Sequence, residues 1–145
     1  MAISKEQWSG IQSTLASTLG CVKFRLPSGE AVTVNKAFIS ENKTGLVVWI
    51  DDVRSEAWGW PPHDEFRPIT KQIWRRKTHQ PGAKQVRKIS AMKGGKTWLK
   101  RKENAYLFEV HEYWVGYFTT AASLVRQFRK IEGLELIVEG VSDDE

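Results

Sequence analysis

The feature that most constrains the fold is a run of 36 residues, Arg67 to Lys102, that contains 13 basic residues and no acidic residue. The other 109 residues carry 9 basic and all 17 acidic residues, so their net charge is −8. Like charges at this density repel one another and resist close packing, and such runs face solvent or a charged partner. We therefore predict an acidic globular body that carries one basic segment.

The length of 145 residues fits a single domain with a substantial hydrophobic core. The lone Cys21 excludes an internal disulfide scaffold and a zinc site built from several thiolates. No apolar run approaches the ~20 residues of a membrane-spanning helix. The opening residues also lack the charged-then-apolar order of a secretion signal. We therefore expect a cytoplasmic protein that does not contact a membrane.

Periodic apolar residues predict one helix and three strands in the N-terminal half. Ser4 and Gln7 have the spacing of a capping box at a helix start, and Gly20 is expected to end the helix. The apolar stripe of this helix follows spacings of three and four: Trp8, Ile11, Leu15 and Leu19. The predicted strands are 21–26, 31–39 and 46–50, and the last, LVVWI, is apolar without alternation, as in a strand covered on both faces.

The C-terminal third predicts further strands and a second helix. Strands are expected to start at 97–100 and to cover 105–111, 114–118 and 134–138. Thr119 or Thr120 is expected to cap the helix, and Gly133 to end it. The buried stripe of this helix is predicted to be Ala121, Leu124, Val125, Phe128 and Ile131.

These elements together predict an α+β fold, with a mainly antiparallel sheet of about six strands and the N-terminal and C-terminal helices packed on it. The sheet carries a long basic central loop. We predict that residues 1–145 form one domain, in which 67–96 is a basic, partly mobile insertion and 140–145 a frayed acidic tail. The loop is predicted because 79–95 contains Pro81-Gly82 and Gly94-Gly95 and few large apolar residues.

The basic segment is the main candidate site, because lysine and arginine neutralise phosphates and release counterions. Two tryptophans, Trp74 and Trp98, precede clusters of cations, and a base can stack on such a ring while the cations hold the backbone. The predicted nucleic acid-binding residues are Lys71, Trp74, Arg75, Arg76, Lys77, Lys84, Arg87, Lys88, Trp98, Lys100, Arg101 and Lys102. The alternative interpretation is a solvated loop with Trp74 and Trp98 buried in the core.

A second aromatic feature is the segment AWGWPP, in which Trp58 and Trp60 flank a glycine and precede two prolines. Two such rings form a possible aromatic platform for a base or a peptide. Alternatively, one ring fixes the loop to the core. We expect one of the two to be structural and the other functional.

The carboxylates Asp51, Asp52, Asp64 and Glu65 lie near His63 and could hold a divalent ion beside a bound phosphate. Their spacing matches no defined nuclease motif, and such residues more often cap turns. The chain has no phosphate-binding glycine motif and no paired histidines, so we expect no cofactor and no metal site, and favour a protein that is not an enzyme.

Three functions remain open from the sequence. The first is a non-catalytic nucleic acid-binding accessory protein that uses the basic segment on DNA or RNA. The second is a protein-binding module, an inhibitor or adaptor that docks on an acidic surface or on a nucleic acid-binding partner. The third is a metal-dependent nuclease. The oligomeric state is not determined by these features.

Overall fold

The computed structural model describes residues 2–137, and it confirms the predicted α+β fold. The chain divides into two compact units. We call Arg76–Tyr113 the basic unit, and the remainder, Met1–Arg75 with Trp114–Glu145, the sheet unit. None of the helices within 2–137 is long and apolar enough to cross a membrane. The predicted tail 140–145 lies outside the described residues.

The sheet unit is built on a five-stranded antiparallel sheet, whose strands are β1 (Cys21–Arg25), β2 (Ala31–Ser40), β3 (Lys43–Ile50), β6 (Tyr117–Phe118) and β7 (Glu135–Ile137). The order of the strands across the sheet is β6-β3-β2-β1-β7. Neighbouring strands pair in register, for example Val34 of β2 opposite Val48 of β3. Leu46, Val47, Val48 and Ile50 are buried and Trp49 is half-buried, so the prediction of a strand covered on both faces is confirmed.

Helix α1 (Lys5–Ala16) begins at the predicted capping box. The Gln7 amide N–H donates to Ser4 Oγ at 3.1 Å, and the Ser4 amide N–H donates to Gln7 Oε1 at 2.8 Å. The predicted end at Gly20 is wrong, because the helix stops at Ala16 and leaves Leu19 exposed. The helix therefore buries three of the four predicted stripe residues, Trp8, Ile11 and Leu15.

Helix α5 (Ala121–Phe128) is capped by Thr120, whose hydroxyl accepts from the Ser123 amide at 3.2 Å, as predicted, but the helix ends at Phe128 and the predicted end at Gly133 is wrong. Its side chains Leu124, Val125 and Phe128 are buried, and Phe128 packs edge-on against Phe24 of β1, with ring centroids 5.3 Å apart. Both terminal helices thus contribute to the hydrophobic core of the sheet unit.

The chain leaves the sheet unit along β4 (Arg75–His79) and returns along β5 (His111–Val115), and these two strands pair as a separate two-stranded sheet. A short helix, α2 (Thr70–Ile73), precedes β4. A 3-10 helix spans Glu56–Gly59 and contains Trp58 of the segment AWGWPP.

The basic unit has more regular structure than the sequence predicts. It contains α3 (Ala83–Ser90), α4 (Gly95–Leu99) and a 3-10 helix at Lys102–Phe108, where a loop and two strands were expected. The strand predictions for 97–100 and 105–111 are therefore wrong over most of their length, and the central segment is not one continuous loop. Gly94 makes the turn between α3 and α4 with a φ of 75°, a conformation that glycine adopts without strain.

Two close approaches to glycine hold the basic unit together. A Cβ atom on Gly82 would lie 2.5 Å from the carbonyl oxygen of Leu107, and one on Gly95 would lie 1.7 Å from that of Ile89. Only glycine allows these backbones to approach so closely. The glycines that predicted a loop are thus packing positions at the starts of α3 and α4.

Candidate nucleic acid interface

The predicted site residues are divided between the two units. The sheet unit contains Trp58, Trp60, Lys71, Trp74 and Arg75. The basic unit contains Arg76, Lys77, Lys84, Arg87, Lys88, Trp98, Lys100, Arg101 and Lys102.

Trp74 is fully buried, with an exposed fraction of 0%, so the prediction that it stacks on a base is wrong. Its ring stacks on Trp58 with the centroids 6.3 Å apart, and a Cβ atom on Gly59 or Gly116 would lie 3.0 Å from it. Gln127 Nε2 also donates to the Trp74 carbonyl oxygen at 2.7 Å. Trp74 is therefore a core residue of the sheet unit, as in the alternative interpretation.

Lys71 contacts aromatic rings within the sheet unit. Its Nζ atom lies 5.3 Å from the ring centroid of Trp114 and 5.8 Å from that of Phe66. A cation over an aromatic face is stabilised by the ring quadrupole. In this structure Lys71 has a structural contact, and Arg75 is half-buried.

The two tryptophans of AWGWPP differ in their surroundings. Trp58 is half-buried and packs against the core, and the Arg67 guanidinium carbon lies 4.8 Å from its ring centroid. Trp60 is exposed, at 39%. The contacts of Trp58 are those of a structural residue, which leaves Trp60 as the exposed ring of the predicted platform.

Of the carboxylates considered for metal binding, that of Asp51 has a local structural role. Asp51 and Asp52 adopt left-handed backbone conformations in the turn after β3, and Asp51 Oδ1 accepts from the Ala31 amide at 3.0 Å. The Glu65 amide donates to His63 Nδ1 at 3.0 Å. Across residues 2–137, no group of three or more His, Cys, Asp or Glu side chains is placed to hold a metal ion.

The basic unit concentrates the positive charge. Its 38 residues include ten basic and three acidic residues, so its net charge is +7. Arg76 pairs with Glu112, and Arg101 Nη1 lies 3.8 Å from Glu103 Oε1. Seven other cations are exposed and form no ion pair with any residue between 2 and 137: Lys84, Arg87, Lys88, Lys93, Lys96, Lys100 and Lys102.

Helix α3 arranges three of these cations on one face. Its apolar residues Val86 and Ile89 are half-buried, whereas Lys84, Arg87 and Lys88 are exposed. Side chains three or four residues apart on a helix are neighbours, with about 5–6 Å between their Cβ atoms. The spacing of these cations therefore gives a continuous positive helix face.

Three aromatic side chains of the basic unit are exposed. Trp98 on α4 is exposed at 37%, Tyr106 at 61% and Phe108 at 47%. Of the three, the sequence identified only Trp98. Tyr106 and Phe108 fall within the predicted strand 105–111, and the signal that could have identified them is their position four and six residues after the cations that end at Lys102.

Comparison of the chain with known protein families, with curated proteins and with solved structures found no match. The function is therefore inferred from the residues of this chain alone.

Proposed function

We propose that this chain is a non-catalytic nucleic acid-binding accessory protein of a cytoplasmic system, and that its basic unit contacts the phosphate backbone. The observation that carries the proposal is the set of seven exposed cations without an ion pair among residues 2–137. Phosphate backbones bind such groups with a gain in entropy, because condensed counterions are released.

The high charge of the basic unit is a second argument for a polyanionic partner. Mutual repulsion at +7 in 38 residues disfavours the compact state. The unit contains only two buried large apolar side chains, Leu99 and Leu107. Domains below about 40 residues usually need extra stabilisation beyond their own core. A bound polyanion supplies it by neutralising the charge, and we expect binding to raise the thermal stability of the basic unit.

Binding of fluorescent DNA and RNA oligonucleotides, followed by anisotropy at low salt, tests the proposal. We expect binding that weakens steeply as salt rises. Wild-type protein that binds neither nucleic acid at low salt would refute it.

A protein partner is the competing function, and one observation favours it: the basic unit also exposes the apolar side chains Met92 and Val110. Affinity purification with and without nuclease treatment separates the two functions. Nucleic acid binding predicts that co-purified proteins are lost on treatment. A partner that remains bound after complete digestion, together with no binding of oligonucleotides, favours the protein-binding module.

A further inference from the structure

The exposed ring of Trp98 is attached to a fixed backbone. Its neighbour Leu99 is buried, and Gly95, at the start of the same helix, is packed against the carbonyl of Ile89. The Trp98 amide donates to the Gly94 carbonyl at 3.1 Å. The helix is therefore anchored on both sides of the tryptophan while the indole ring stays accessible.

A buried asparagine fixes the other end of this segment. Asn104 is only 4% exposed, and its Nδ2 atom donates to the Trp98 carbonyl oxygen at 2.7 Å. The Asn104 backbone amide donates to the Arg101 carbonyl oxygen at 3.0 Å. The Arg101 backbone amide in turn donates to the Trp98 carbonyl oxygen at 3.2 Å. A recognition residue held in this way loses little conformational entropy on binding.

Exposed cations flank Trp98 along the sequence. Lys96 and Lys100 are two residues away on either side, and neither has an ion-pair partner in the described chain. Tyr106 and Phe108 belong to the 3-10 helix that follows. Large aromatic side chains are normally buried because each removes about 150–250 Å² from water. Three exposed rings in one unit of 38 residues therefore call for a ligand with flat apolar faces.

We infer that the basic unit binds single-stranded nucleic acid, with unpaired bases stacked on Trp98 and on the rings of Tyr106 and Phe108. This inference rests on the proposed function and adds strandedness to it. In a duplex the faces of the bases are occupied by their stacked neighbours, and a ring must unstack them to insert, so exposed aromatic rings stack on unpaired bases at a lower cost. The cations alone would bind a duplex equally well, and the rings distinguish the two substrates.

The test compares an oligothymidine of about 15 nucleotides, within the range that one such site covers, with a duplex of the same length. Trp98→Ala is expected to lower single-strand affinity about 5-fold to 150-fold, the usual contribution of one base–aromatic stack. Duplex affinity is expected to stay within twofold, which also shows that the variant is folded. Trp98→Phe keeps a stacking ring and should retain most of the affinity, whereas Trp98→Leu keeps apolar bulk alone and should not.

Phe38→Ala is the matched control, because Phe38 is also an exposed aromatic residue, at 72%, and belongs to the sheet unit. It should leave both affinities unchanged. Equal loss of single-strand and duplex binding in Trp98→Ala, or no loss in either, overturns the inference and leaves the proposed function intact. A loss in Trp60→Ala with none in Trp98→Ala would also overturn it and place stacking at the Trp58–Trp60 platform. No binding to either substrate by wild-type protein removes both proposals.

Discussion

Neutralising the positive face of α3 should reduce the salt dependence of nucleic acid binding by a defined amount. The perturbation is the triple variant Lys84→Gln, Arg87→Gln and Lys88→Gln, which removes three of the seven exposed cations without an ion pair among residues 2–137. Glutamine has a helix propensity close to those of lysine and arginine, so α3 should persist. Arg87 and Lys88 lie in the last turn of α3, so a loss of about 0.3–1 kcal/mol each from the helix dipole is expected.

The magnitude follows from counterion release. Each phosphate contact on a single strand contributes about −0.7 to the slope of log K against log salt. Seven contacts give a slope of about −4.9, which is about a 900-fold loss of affinity between roughly 50 and 200 mM salt. The triple variant leaves four contacts, a slope of about −2.8 and about a 50-fold loss. The difference of about 2.1 in slope does not depend on how many of the other four cations bind phosphate.

The assay is anisotropy of a labelled single strand across a salt series, with a matched control at and just beyond the C-terminal end of α5. Arg126, Arg129 and Lys130 are exposed, have the same spacing of three residues and then one, and belong to the sheet unit. Their replacement by glutamine changes the net charge by the same three units and should leave the slope unchanged. Equal slopes for wild type and the α3 variant would refute the assignment of α3 to phosphate contact. Equal reductions in the two variants would show that overall charge, and not the α3 face, sets the affinity.

Three further predictions concern the fold that presents the site. Gly82→Ala places a methyl group 2.5 Å from the carbonyl oxygen of Leu107, so oligonucleotide binding should fall while the thermal transition of the sheet unit persists; unchanged binding would contradict this packing role. Gly10→Ala, in α1 with nothing within 4 Å of the new Cβ atom, should raise the free energy of unfolding by up to about 1 kcal/mol in urea titrations, and a decrease would contradict the open site. Gln127→Leu removes the donor to the Trp74 carbonyl and should lower the free energy of unfolding by about 1–3 kcal/mol; an unchanged urea midpoint would show that water replaces the amide.

The predictions that the structure confirms depend on local physical chemistry. The capping box of Ser4 and Gln7 and the cap at Thr120 involve residues only three positions apart. The run from Leu46 to Ile50 is apolar on both faces because both sides of β3 are covered. The absence of alternating polar residues in this run is therefore enough to predict the covered strand. Leu19 continues the helical spacing by coincidence, since α1 ends at Ala16, and periodicity does not locate the end of a helix.

The helices of the basic unit could not be predicted in the same way, because the residues that specify them act through tertiary contacts. Helix α3 is short and has no buried side chain, and its half-buried apolar residues Ala83, Val86 and Ile89, although spaced three apart, lie between the turn signals Pro81-Gly82 and Gly94-Gly95. Gly82 and Gly95 suggest a loop when considered locally. Their function depends on Leu107 and Ile89, whose carbonyls leave no room for a side chain, and neither contact is encoded in the residues adjacent to the glycines.

The two tryptophans of the basic segment show why the exposed cations are easier to predict from the sequence than the exposed aromatic rings. Trp74 and Trp98 each stand before a cluster of cations, so their local sequences are equivalent, yet one is 0% and the other 37% exposed. The difference arises from Gly59 and Gly116, which come from distant parts of the chain and leave space for the Trp74 ring. Exposure of a long cation is favoured wherever it occurs, because burying an unpaired charge is costly. An aromatic ring is stable in either environment, so a run of lysines and arginines marks a surface, whereas a neighbouring tryptophan contributes to recognition only where the tertiary fold leaves its face open.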